Sequence, residues 1–161
     1  MSERIRCVLA EEPFDAAHML AEFTRTAVGA GAVVSFTGIA RETAKSGEPV
    51  RGLQLDHHAR LTLRSLEVIA KAAQGRFTID ALLIVHRCGW VEAGDPIVLV
   101  AAASAHRRAA LQAVDYAMDR LKTEAVFWKR EDGPKGANWI EPTPADYRER
   151  ERWDDAADPP A

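Results

Sequence analysis

Cysteine is scarce: Cys7 and Cys88 are the only two in 161 residues, far apart and without Cys-x-x-Cys or Cys/His ligand spacing. That excludes a disulfide framework and a cysteine-based zinc site, and both read as buried, reduced thiols. Long apolar runs are absent too. None approaches the roughly 20 residues of a membrane-spanning helix, and Met1-Ser2-Glu3-Arg4 has no signal-peptide core. The expected compartment is the cytosol, with no membrane partner. Neither sign of charge dominates, since the formal net charge is −3, so nothing global points to nucleic acid. There is no Rossmann glycine fingerprint, no Ser/His/Asp motif and no zinc signature. Gly89 and Gly94 have a phosphate-loop spacing but lack the Lys-Ser/Thr that must follow. His57 and His58 have no third ligand at a recognisable spacing, so no metal is expected.

What is present is the composition of one globular domain, with 47% hydrophobic and 28% charged residues. Charge is unevenly spread. From Glu141 onward seven acids face three bases, a local −4, which leaves residues 1–140 at +1. Four of the eight prolines (Pro142, Pro144, Pro159, Pro160) lie in that stretch. The expected organisation is a domain over 1–141 and an acidic, Pro-containing, partly disordered tail over 142–161.

Periodicity places strands at 4–10, 31–39, 50–57, 79–85, 96–103 and 126–130, with a hairpin arm at 138–140. Helices are expected over 14–27, with Phe14, Ala17, His18 and Ala21 inward, over 61–75, and over 106–121 with Ser104 as N-cap. The strand at 50–57 should pair with the one before it, and 40–49 reads as a mobile loop. Several neighbouring strands are joined too briefly for a parallel crossover. The fold class is therefore α+β, a mixed or antiparallel sheet covered by helices.

The cations gather at element ends. Arg41 follows a buried strand, His106-Arg107-Arg108 opens a helix where free N–H groups favour anions, Lys122 closes that helix, and Lys129-Arg130 end the next strand. Converging, they would bind a phosphate or another polyanion. As separate solvated charges they would need no explanation, and Lys122 would be a dipole partner of its helix. In Phe127-Trp128-Lys129-Arg130 the alternation puts Lys129 on the face of Phe127 and Arg130 on that of Trp128. A lysine against apolar surface loses solvation and becomes easier to deprotonate.

Four segments then resemble one family in order and spacing: Gly31 to Arg41 (GAVVSFTGIAR), Val85-His-Arg-Cys-Gly89 with Gly94-Asp95, Ser104-Ala-His-Arg107, and Leu121 to Glu131 (LKTEAVFWKRE) running on to Trp139-Ile-Glu141. They are similar to the large, catalytic subunit of molybdopterin synthase (MoaE type), over about residues 4–141. The resemblance implies an α/β hammerhead-type sandwich. It also implies a homodimer with a small ubiquitin-like sulfur carrier docked at each end, a heterotetramer. The carrier's C-terminal Gly-Gly thiocarboxylate would give sulfur, two atoms from successive carriers, to cyclic pyranopterin monophosphate. No metal or organic cofactor is implied. By position, Lys122 matches the central catalytic lysine and Lys129 a second functional one. Arg41, His106 and Arg107 match residues that hold the substrate's phosphate, with Arg130 added to them. Where the family often has an arginine after Trp-Ile-Glu, here stand Pro142-Thr143-Pro144; Arg148 or Arg150 are the candidates to replace it. A hydrolase using the same cations would need a general base or metal carboxylates, and none stands near them in sequence. A module that only docks a ubiquitin-like partner would need neither lysine.

Overall fold

The computed structural model describes residues 4–154. In chain order the elements are β1 (Ile5–Ala10), α1 (Ala16–Thr26), β2 (Ala32–Ile39), β3 (Gly52–His57), α2 (Ala59–Arg76), β4 (Ala81–Arg87), β5 (Gly89–Glu92), β6 (Pro96–Ser104), α3 (Arg107–Glu124), β7 (Phe127–Gly133), β8 (Gly136–Ile140) and α4 (Pro144–Glu151). The α+β class holds, with two four-stranded sheets in place of one. The first runs β1-β4-β6-β2 and the second β5-β3-β7-β8. Among the described residues only β1 and β4 pair in parallel.

The first sheet is apolar on both faces because helices cover both. Alternation sends Leu82, Ile84, Val98, Val100 and Ala102 toward α2 and α3, and Leu83, Val85, Leu99, Ala101 and Ala103 toward α1. The alanine run of β6 has no bulk to hold the helices away. On α1 the inward stripe is Ala16, Met19, Leu20 and Phe23. The alanine-rich stripe expected through Ala17, His18 and Ala21 is exposed, since the larger side chains bury more area per residue.

Further expectations differ from the structure. β3 does not pair with β2; it lies between β5 and β7 in the second sheet. The connection after His86 contains a strand, β5, which Gly89 allows by turning the chain at φ +74°. Of the partly disordered tail expected over 142–161, the described part, 142–154, is folded. Thr143 caps α4 in a reciprocal capping box with Asp146, and Trp153 is buried in edge contact with Phe77 and Tyr116. The rest of the expected tail, 155–161, lies outside the described residues. Segment 40–49 folds as a tight turn, with Thr43 bridged to Pro49 and the Ala44 N–H donating to the Glu48 carbonyl at 2.9 Å. Ser104 does not cap α3. His106 holds that position without a side-chain cap bond, and the Ser104 hydroxyl donates to the Thr78 carbonyl at 2.8 Å.

Candidate functional site

Lys122 occupies the last turn of α3. That helix leaves the end of β6 and packs back along β6 and β2. Its C-terminus therefore returns to the end of the sheet where β2 and β4 stop and β6 starts. Helix carbonyls at this end favour a cation. Arg41, exposed and two residues beyond β2, lies at the same end. Lys129 arrives from β7, opposite Leu55 on β3 and Ile140 on β8.

Phe127, two residues before Lys129, stacks on His86 with ring centroids 4.3 Å apart and planes 24° from parallel. His86 is buried, and burial, reinforced by the charge of Lys129, lowers its pKa to about 4. It is neutral at pH 7. Its Nδ1 lies 2.7 Å from the Arg87 carbonyl, which can only accept, so Nδ1 carries the proton and Nε2 is left as an acceptor. Lys129 is pushed below the usual lysine range, first by burial and then by the charge of Lys122, with Asp146 pulling the other way. The two lysines thus share one electrostatic environment. Such a pair can hold an anion, and burial makes Lys129 easier to deprotonate than a solvated lysine.

The other site residues are distributed differently. Arg130, by strand alternation, goes to the opposite face of β7 from Lys129, its guanidinium 5.6 Å from the Trp139 ring centre. His106 and Arg107 are exposed at the N-terminus of α3. The β2–β6 register puts Ala32 beside Ser104 at that end and Ile39 beside Pro96 at the other. Arg41 and the His106–Arg107 pair are therefore separated by the length of an eight-residue strand, about 25 Å. Within one chain the cations form two groups, not one pocket. A broad cleft of about 830 Å³ near Ala105, lined by Arg4, Arg6, Arg25, Phe23 and Leu83 among others, carries none of the six site residues.

Two participants at the lysine end were not singled out from sequence: Lys45, and Asp146 on α4, whose carboxyl pKa burial raises but the Thr143 hydrogen bonds and the charges of Lys122 and Lys45 together lower below the usual carboxylate range. The Thr143-Pro144-Ala145-Asp146 pattern is a legible helix start, but nothing in the sequence places it beside the lysines. Among the described residues no His/Cys/Asp/Glu group could hold a metal ion, and no helix is long and apolar enough to cross a membrane.

Fold and site together define a class: an α+β domain with an exposed lysine and a partly buried one at the strand ends of a buried sheet, suited to an anionic ligand. The chain belongs to the MoaE family, and residues 9–124 match the MoaE protein. A molybdopterin synthase catalytic subunit of Caulobacter vibrioides is 42% identical over 149 residues, covering 92% of this chain and 97% of that protein. One from Pseudomonas aeruginosa is 44% identical over 128 residues, 80% and 85% of the two chains. The solved molybdopterin biosynthesis MoaE protein of Burkholderia ambifaria superposes with a TM-score of 0.75 at 33% identity, over 93% of this chain and 97% of that one.

Proposed function

We propose that this chain is the catalytic subunit of a molybdopterin synthase, and that it transfers sulfur from a thiocarboxylated carrier tail to a cyclic pterin phosphate. The observation that carries this reading is the lysine pair. Lys122 and Lys129 come from different elements to one end of the sheet, and Lys129 is desolvated there. A cyclic phosphate that opens during the reaction develops negative charge, which two lysines and Arg41 stabilise. A lysine of lowered pKa also gives up its proton more readily than a solvated lysine does. The companion subunit is a small ubiquitin-like protein ending in Gly-Gly. Its compartment is the cytoplasm, where cysteines such as Cys7 and Cys88, both unpaired, stay reduced.

The two-group arrangement of cations supports a homodimer. β2 is an edge strand, and it exposes Phe36 and Ile39. If two copies associate along antiparallel β2 edges, the end of β2 bearing Arg41 in one protomer meets the end beside His106 and Arg107 in its partner. Arg41, His106 and Arg107 then face one site, at each of two symmetric positions, while Arg130 stays on the outer face of β7.

The test mixes purified protein, a thiocarboxylated carrier and cyclic pyranopterin monophosphate, with Lys122→Ala and Lys129→Ala in parallel. Dithiolene product from the parent chain and a fall of at least about 100-fold in each variant is the expected result. A carrier that binds without any product would overturn the enzyme reading in favour of a docking module.

A further inference from the structure

α4 lies beyond residues 9–124, which match the MoaE protein, and its placement bears on the lysines. Arg150 pairs with Glu124 at 2.8 Å, Arg152 with Asp119 at 2.8 Å, and the Trp153 indole N–H donates to Asp119 at 2.7 Å. As the chain advances from 150 to 153 its contacts move back along α3 from 124 to 119. The first turn of α4 must therefore project past the last turn of α3, where Lys122 sits, toward β7. Asp146 is in that first turn. Its Oδ2 accepts from the Thr143 N–H at 2.7 Å and from the Thr143 hydroxyl at 2.8 Å. Both bonds fall on one oxygen, and Oδ1 makes no hydrogen bond among the described residues. The carboxylate is thus fixed in direction with half its accepting capacity left over.

We propose that Asp146 is a positioning residue of the lysine site, carried by α4 to the end of α3 to balance the charges of Lys45, Lys122 and Lys129. Those three lysines come from the turn after β2, from α3 and from β7. Two of them crowd one another, since the charge of Lys122 already disfavours that of Lys129. An acid held by a helix cap opposes that repulsion without being free to swing into a direct ion pair that would occupy a lysine. The groups acting on Lys129 are then Lys122 from α3, His86 from β4 and Asp146 from α4; on β7 itself Arg130 is turned to the opposite face. Lys45 acts through Asp146.

The inference deepens the transfer reading and rests on it for the role of the lysines, but its primary test does not depend on turnover. The Lys129 side chain is titrated by NMR of its Nζ group in the full chain, in the parent and in Asp146→Asn, Asp146→Glu and Thr143→Ala. With the acid neutralised, the Lys129 midpoint should fall by about half a pH unit or more. Asp146→Glu should restore it, and Thr143→Ala, which weakens the cap while keeping the charge, should leave it near the parent value. If the parent transfers sulfur, the pH profile of kcat should move by the same amount in Asp146→Asn. An unmoved midpoint in Asp146→Asn, or an equal shift in Thr143→Ala, overturns the proposal and leaves Asp146 a cap alone. A parent chain inactive in transfer would defeat the functional reading while the titration still decides this one.

Discussion

The two sheets solve opposite problems with similar numbers of strands. The first has its central strands, β4 and β6, buried almost end to end, with helices on both faces. The second buries one face only, on the small cluster of Ala40, Leu55 and Val91. Its other face is left to Trp90, Trp128 and Trp139, all exposed. The four-strand row Trp90–Gln54–Arg130–Trp139 crosses that outer face. The difference shows a division of labour. The apolar core is concentrated in the first sheet, and the second carries the half-buried Lys129 on the face of its small cluster, opposite Leu55.

The comparison is broken most severely at the first sheet. Trp153→Ala removes the aromatic plug between α3 and Phe77 and should cost about 4 kcal/mol in urea unfolding. A loss under about 1 kcal/mol would mean that α4 does not belong to the core. Ile84→Ala, in the centre of β4, should cost about 3 kcal/mol by the same measurement.

At the seam between the sheets the probe is pH. His86 has a folded-state pKa of about 4 against an ordinary 6.5. Between those values the unfolded chain binds a proton that the folded chain refuses, so stability rises with pH across that window. Above pH 6.5 the contribution is complete, and acidification toward pH 4 should remove about 3 kcal/mol. His86→Phe should flatten that part of the stability–pH curve. The smallest effect belongs to the outer face of the second sheet, where Trp139→Ala should cost less than about 1 kcal/mol. A larger loss would show that this face is part of the fold's support.

Legibility followed how local the cause was. The apolar runs around Ile84 and Val100 could only be buried strands, and α3 read close to its bounds because alanines and Leu121 repeat at helical spacing. The stripe of α1 read wrongly because Ala17 and Ala21 compete with Met19 and Phe23 at nearly the same period. The lysines and Arg41 were visible as element-end cations, and Lys129 as a cation sharing a face with Phe127. Asp146 was not, because an acid among acids near the C-terminus has nothing local to distinguish it.

By itself the sequence determined the α+β class, most of the elements, and the residues that mark the family, since all of these rest on spacing along the chain. Only the tertiary structure decided that β3 joins a second sheet, that α4 packs on α3, and that Arg41 stands a strand's length from His106. Those outcomes depend on which surfaces meet, and an antiparallel return such as α3 on β6 sets residues close or distant without regard to their separation in sequence.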